Sequence, residues 1–116
     1  MNSNQKHIER IAIPTNDGID IFPKMLGRAK EIYIYEVANG DQSRFVEKRS
    51  NPFAETMQHL KTLDVYDLIN DCSVIISASI GKKGVSRLHE RGMRLLFRRG
   101  NIKEALDACI VELKND

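Results

Sequence analysis

The sequence lacks the cysteine pattern of a disulfide-bonded or zinc-binding domain and the long apolar run of a membrane-spanning one. Its 116 residues include no tryptophan, three prolines and two cysteines. Cys72 and Cys109 are too few and too far apart for a zinc-finger set or a CxxC redox pair. No apolar run approaches the roughly 20 residues that a membrane-spanning helix needs. We therefore expect a single domain over 1–116, with 1–7 as a frayed polar tail.

The chain also has little net charge. Its 18 basic and 16 acidic residues give a formal net charge of +2, which by itself does not argue for a nucleic-acid partner. Basic residues crowd the last third, and we interpret them as a solvated face, with an anion or nucleic-acid footprint as the alternative. No signal-peptide pattern opens the sequence, so the cytoplasm is the expected location.

The apolar pattern predicts three strands in a meander, followed by alternating helices and strands. Residues 31–37 have Ile32 and Ile34 on one face and further apolar side chains on the other, as in a strand that is covered on both sides. Asn39-Gly40 predicts a hairpin into a charged edge strand. The predicted strands are 8–15, 31–37, 43–49, 74–76 and 93–97, and the predicted helices are 54–71, 82–91 and 102–114.

With right-handed crossovers, this order of elements predicts a three-layer α/β fold. Its mixed five-stranded sheet has the order 3-2-1-4-5, with strand 2 antiparallel to the others, which is the topology of a ribonuclease-H-like fold. A two-metal nuclease would need carboxylates on the first and fourth strands. Ile11 to Pro14 and Ser77 to Ser79 provide none. The residues therefore argue against a nuclease.

Two glycine-containing loops are the candidate binding elements. The first follows strand 1, and the second reads SIGKKG at 79–84, where a strand ends and a helix begins. A helix N-terminus attracts anions, although the P-loop spacing is absent and an ordinary turn with solvated lysines is the alternative. If strands 1 and 4 are parallel neighbours, both loops open at one edge of the sheet. The crevice residues would be Gly18, Gly27, Arg28, Gly81 and Gly84.

Nucleophilic catalysis has no support in the sequence. Ser77 and Ser79 lack a GxSxG elbow, and the three histidines have no evident aspartate partner. His59 is a lone histidine, for which a structural or solvated role and a ligand role both stay open. Cys109 lies on the apolar stripe of the last helix, as a buried structural thiol would, whereas Cys72 precedes a strand and has no such assignment.

The loop motifs resemble a known family. IAIPTNDG, then Leu26-Gly27-Arg28-Ala29, then EIYIYEV and Asn51-Pro52, resembles in order and spacing the dinitrogenase iron–molybdenum cofactor biosynthesis family. SASIGKKGVSRLHERGMRLLFRRGNIKEAL is similar to that family's second half, so that the resemblance covers 8–113. It implies a small ribonuclease-H-like protein, and some members carry or insert iron–molybdenum cofactor or its precursors during nitrogenase assembly.

The chain departs from the family in the first loop. Members often have Pro-His-Phe-Gly before the Arg-Ala pair, whereas Pro23 is followed here by Lys24, Met25 and Leu26 before Gly27. The thioether of Met25 is a weak substitute ligand or a packing group. His59 is the one candidate match to the histidine-containing stretch that many relatives carry after Asn-Pro.

The resemblance implies a binding protein and not an enzyme, namely a carrier or accessory factor for an anionic iron–sulfur or iron–molybdenum cluster. Lys24, Arg28, Lys82 and Lys83 would supply charge-assisted contacts, with Gly27 and Gly81 in the loops and His59 or Cys72 as the metal ligand. The implied partners are the cluster and a protein that delivers or accepts it, with no membrane. A small anion in the same crevice and a nucleic-acid or protein-interaction module on the 94–103 face are the alternatives.

Overall fold

The computed structural model describes residues 7–38, 42–52, 54 and 67–114, which form an α/β domain. Two of its helices and a short 3₁₀ turn, Leu26–Arg28, accompany five strands in this part of the chain. The strands are β1 (Ile8–Thr15), β2 (Glu31–Ala38), β3 (Ser43–Ser50), β4 (Val74–Ser77) and β5 (Arg94–Phe97), and the helices are α1 (Lys82–Glu90) and α2 (Ile102–Lys114).

The strands form one mixed sheet in the order β3-β2-β1-β4-β5. β2 runs antiparallel to both β1 and β3, whereas β1, β4 and β5 are parallel. The predicted strand order and directions are therefore confirmed. The Asn-Gly turn that was predicted to join β2 to β3 lies outside the described residues.

The sheet has an apolar core on each face, because side chains alternate along every strand. On one face, Ile11 and Ile13 of β1 pack with Ile102, Leu106 and Cys109 of α2. On the other, Ala12, Ile34 and Ile75 pack with Leu88 of α1 and with Ile69. The two helices thus cover opposite faces, and Cys109 is the buried structural thiol that its position predicted.

Helix ends follow the predicted caps, with some differences in the bounds. Gly92 closes α1 with φ +83°, and the side-chain oxygen of Asn101 accepts the backbone N–H of Glu104 at 3.0 Å to cap α2. The predicted strand 93–97 begins one residue too early, since β5 starts at Arg94. The N–H of Met93 donates to the carbonyl of Leu88, so that Met93 is part of the turn that ends α1.

The helix predicted over 54–71 lies largely outside the described residues. Its described end is helical at Asp67 and Leu68 only, so the predicted end at 71 is three residues too long. The helix stops there because the N–H of Cys72 donates to the carbonyl of Ile69 at 2.9 Å, a turn that places Ile69 in the core. None of the described helices has the length and apolarity that crossing a bilayer requires.

Charged groups join the strands at the amino-terminal ends of β1 and β4. The guanidinium of Arg49 on β3 donates to both carboxylate oxygens of Asp71, at 2.8 and 2.9 Å, and Arg10 also contacts Asp71. Arg10 in turn donates to Glu36 at 2.7 Å. The hydrogen bond from Arg49 is the main reason that the pKa of Asp71 lies far below its usual value.

We predict that Asp71→Asn lowers the free energy of unfolding by about 1 kcal/mol at pH 7, because the side chain is 38% exposed and solvent screens the pairs. A carboxylate with a depressed folded pKa stabilises above its unfolded pKa, near 3.9, and this contribution is lost as the pH falls toward the folded pKa. Urea unfolding of both proteins at pH 7 and at about pH 3 should show the difference shrinking in acid. An equal difference at both pH values would contradict the ion-pair explanation.

Candidate functional site

Three loops meet at the edge of the sheet where β1, β4 and β5 end. The loop after β1 is hydrogen-bonded to both of the others. The N–H of Leu26 donates to the carbonyl of Ser79 at 3.0 Å, and the N–H of Ile21 donates to the carbonyl of Gly100 at 2.8 Å. These two bonds attach the first loop to the loops after β4 and after β5. The structure thus brings the two predicted loops together at one edge.

The first turn of this loop is built around a buried threonine. The hydroxyl of Thr15 donates to the carbonyl of Asp20 at 2.7 Å and accepts the N–H of Gly18 at 2.9 Å. The carboxylate of Asp17 accepts the N–H groups of Asp20 and Ile19, and these bonds lower the pKa of Asp17. Asp17 is therefore an ionised group that shapes the turn.

Asn51 holds the second half of the same loop. This buried residue donates from its side-chain amide to the carbonyls of Gly27 and Ala29, at 3.0 and 2.8 Å, and its N–H donates to the carbonyl of Lys30 at 2.9 Å. Asn51-Pro52 is part of the motif resemblance, but the sequence alone predicts no role for it. The signal in the sequence for this role is an Asn-Pro pair directly after an edge strand. The carbonyls that Asn51 binds lie more than 20 positions earlier in the chain.

Met25 covers the glycine turn of the second loop. Its backbone forms a parallel bridge with Ser79, and a Cβ placed on Gly81 would lie 3.0 Å from the methyl carbon of Met25. The Met25 side chain is nevertheless 47% exposed. Met25 therefore packs over Gly81 while nearly half of the residue stays exposed, so that packing and soft-donor roles are both compatible with its position.

The two joined loops carry exposed cationic residues. Lys24, Arg28 and Lys82 are exposed, and Gly27 lies within the 3₁₀ turn that begins at Leu26. Gly81 caps α1 without a side-chain hydrogen bond, and the first turn of α1 carries no acidic residue. The backbone N–H groups of this first turn and the positive end of the α1 dipole therefore favour the binding of an anion.

Of the two predicted metal ligands, the one that the structure describes, Cys72, does not join this cluster. His59 lies outside the described residues. Cys72 precedes β4, at the opposite end of the strand from Ser79, and burial is the main cause that raises the pKa of its thiol to about 12. Burial likewise raises the pKa of Cys109 to about 11. Within the described ranges, no group of three or more His, Cys, Asp or Glu side chains could hold a metal ion.

The donor set at the edge therefore fits an anion better than a bare metal ion. Ammonium, guanidinium and backbone N–H groups bind the outer atoms of an anion, whereas iron in a cluster is held by thiolate or imidazole. Among the described residues of this edge, the thioether of Met25 is a soft donor, but it is a weak one. An anionic cluster that brings its own ligands is compatible with such a surface.

Solved structures share the fold at low sequence identity. The crystal structure of PH0822 superposes with a TM-score of 0.71 at 20% identity, covering 89% of this chain and 91% of that one. The NMR structure of TM1290 from Thermotoga, described as a candidate NifB protein of the DUF35 family, gives 0.62 at 22% identity, covering 87% and 86%. No curated protein matches the sequence.

A family model for the dinitrogenase iron–molybdenum cofactor matches residues 8–112, which is nearly all of the chain. The matched range includes both loops of the candidate site and Asn51, which holds the first of them. The resemblance inferred from the loop motifs is thereby confirmed. The chain belongs to the dinitrogenase iron–molybdenum cofactor family.

Proposed function

We propose that this protein is a carrier or accessory factor that holds an anionic iron–sulfur or iron–molybdenum cluster at the edge formed by the loops after β1 and β4. The observation that carries the proposal is the joining of these loops through Leu26 and Ser79, which sets a cationic loop beside the uncapped N-terminus of α1. Family membership supports a role in cofactor biosynthesis. The cluster is cargo and not a resident catalytic group.

The proposed binding is mainly electrostatic. Lys24, Arg28 and Lys82 neutralise the cluster's charge, and the N–H groups of the first turn of α1 bind its outer acceptor atoms. Met25, which lies over Gly81, adds a soft contact. Weak binding without a metal-coordinating side chain suits a carrier, because the cluster has to be released intact to the protein that accepts it.

The proposal also includes three expectations from the sequence. The protein acts by binding and not by catalysis, it works in the cytoplasm, and its fold is ribonuclease-H-like. The order β3-β2-β1-β4-β5, with β2 antiparallel, supports the last of these. A second protein that delivers or accepts the cluster would complete the cycle.

Anaerobic reconstitution tests the carrier function. The protein is incubated with a preformed iron–sulfur cluster, or separately with isolated iron–molybdenum cofactor, then desalted and examined by metal analysis and absorption spectroscopy. We expect retained metal in stoichiometric amount with charge-transfer bands. A folded, colourless and metal-free protein after both incubations would overturn the proposal.

We predict that neutralising the three cations of the site weakens cluster retention about tenfold or more. The variant combines Lys24→Gln, Arg28→Gln and Lys82→Gln, which removes three charge-assisted contacts from an exposed site. A control with the same change of net charge combines Arg44→Gln, Lys48→Gln and Arg87→Gln, all of them exposed residues of β3 or α1. Equal loss in both variants would show that net charge alone, and not this edge, governs retention.

A small oxoanion is the second candidate cargo. The lack of a thiolate or imidazole among the described residues of the edge favours it, since an oxoanion needs only hydrogen-bond donors and positive charge. Titration with molybdate and sulfate, followed by amide chemical shifts, separates the two candidates. Saturable shifts at Gly81 to Gly84 together with no cluster retention would assign the simple anion.

A further inference from the structure

A cavity of about 450 Å³ opens between the loop after β1 and the loop after β5. Its apolar wall is formed by Ile21, Phe22 and Pro23, and Gly100 closes it from the β5 side. None of these residues is among the cations or the glycine turn that are proposed to hold the cluster. A volume of a few hundred Å³ with a mainly apolar wall is typical of sites for small organic ligands.

The walls of this cavity are held by backbone hydrogen bonds. The N–H of Ile21 donates to the carbonyl of Gly100 at 2.8 Å, and the N–H of Phe22 donates to the carbonyl of Pro14 at 2.9 Å. Asp20 and Asn101 form an antiparallel bridge beside them. The cavity is therefore preformed, so that a ligand does not have to order the loops when it binds.

The polar side of the cavity carries negative charge. Asn16, Asp17 and Asp20 line it together with the apolar residues. All the described hydrogen bonds of the Asp17 carboxylate use its Oδ1 atom, which leaves Oδ2 as an available acceptor. Asp20 is exposed, and its carboxylate takes part in none of the described ion pairs.

Outside this lining, a guanidinium contacts the rim of the cavity. The guanidinium of Arg99 donates to the carbonyl of Pro23 at 3.3 Å, which is a long hydrogen bond to the backbone. The residues that line the cavity include two carboxylates, those of Asp17 and Asp20, and no basic side chain. The cavity thus has the opposite sign to the cationic edge at Lys24, Arg28 and Lys82.

We propose that this cavity binds a small organic cation, with an ammonium, amidinium or guanidinium head on a flat or compact apolar body. The apolar body packs on Ile21, Phe22 and Pro23, and the head donates to the carboxylates of Asp20 and Asp17. Carboxylates accept the paired N–H groups of such heads in charge-assisted hydrogen bonds. This binding is independent of the proposed cluster site.

Amide NMR titration of the wild-type protein tests the proposal, with benzamidine as the probe and benzoate as its counterpart of opposite charge. We expect saturable benzamidine shifts that concentrate at Asn16, Asp17, Asp20, Phe22 and Gly100, with a dissociation constant on the order of 1 mM for so small a ligand. Benzoate should leave these amides unshifted. Shifts that are scattered over the surface, or that are equal for both probes, would overturn the proposal.

A matched pair of variants adds a second readout. Asp20→Asn removes the exposed carboxylate of the cavity, and Asp107→Asn makes the same change on the exposed side of α2. We expect benzamidine to bind about fivefold more weakly to Asp20→Asn and unchanged to Asp107→Asn. Unchanged binding by Asp20→Asn, with its amide spectrum otherwise intact, would exclude this carboxylate as the anchor. Because neither readout uses a cluster, failure here leaves the carrier function unaffected.

Discussion

Asn51→Ala should lower the free energy of unfolding by about 3 kcal/mol. The substitution leaves the carbonyls of Gly27 and Ala29 without the amide that donates to both of them. Asn51 is 6% exposed, so that water replaces the lost donor poorly. Urea unfolding, monitored by circular dichroism at neutral pH, measures the change.

The same substitution should also loosen the loop that carries Arg28. Amide hydrogen exchange at Ala29 and Lys30 is expected to accelerate more than exchange in β4, because the loop loses its anchor while the core is unchanged. Asn70→Ala provides the control, since Asn70 is exposed in the turn before β4. A loss of less than about 0.5 kcal/mol in Asn51→Ala, equal to that of the control, would show that the two hydrogen bonds do not stabilise the loop.

Gly18→Ala should be about as destabilising, at about 3 kcal/mol, for two separate reasons. Gly18 has φ +77°, a conformation that L side chains rarely adopt. In addition, an added Cβ would lie 2.5 Å from the hydroxyl oxygen of Tyr33 and within 3 Å of its ring carbons. The ring also packs against Phe45, with centroids 5.2 Å apart, so that moving it away from the added Cβ would disturb this contact.

Gly92→Ala is the matched control for this effect. Gly92 has φ +83°, but an added Cβ would meet no atom within 4 Å. We expect it to cost about 1 kcal/mol, from the backbone alone. Thermal or urea unfolding of both variants separates the backbone strain from the steric clash. Equal losses of stability at the two positions would mean that the Tyr33 ring moves away from the added Cβ at no cost in free energy.

Truncating the obstructing ring offers an independent check. In the background of Tyr33→Ala, Gly18→Ala should cost only the backbone contribution, as Gly92→Ala does. The double-mutant cycle would then give a favourable coupling of about 2 kcal/mol, which is the steric part alone. A coupling near zero would contradict the close approach of Gly18 to Tyr33.

Local patterns in the sequence were sufficient for the architecture. The alternation in 31–37 and the charge of β3 correctly placed β2 inside the sheet and β3 at its edge. Gly92 and Asn101 marked the end of α1 and the start of α2. These signals act within a few residues, because side-chain periodicity and helix caps depend on near neighbours.

The helix predicted over 54–71 shows where local patterns were insufficient. Leu68 and Ile69 continue an apolar helical pattern, yet the described chain turns at 69–71. The turn is stabilised by Asp71, whose carboxylate binds Arg49 on a strand more than 20 positions earlier. No local pattern in the sequence predicts a partner at that distance along the chain.

The candidate site was predicted in part. Strand order and direction correctly placed the loops containing Gly27 and Gly81 at one edge, since the carboxyl ends of parallel strands lie together. The placement of Cys72 could not be read from the sequence. It precedes β4 by two positions and therefore lies at the end of the strand that faces away from this edge.

The sequence by itself determined the strand order, the helix caps and the membership of the family, because each depends on residue types at short spacing. Only the tertiary structure decided that Asn51 anchors the Gly27–Ala29 carbonyls, that Met25 covers Gly81 and that Asp17 and Asp20 line a cavity. The physical reason is that these contacts join residues more than 20 positions apart, or depend on how whole loops pack together. Their geometry exists only after the sheet has brought the ends of β1, β4 and β5 together.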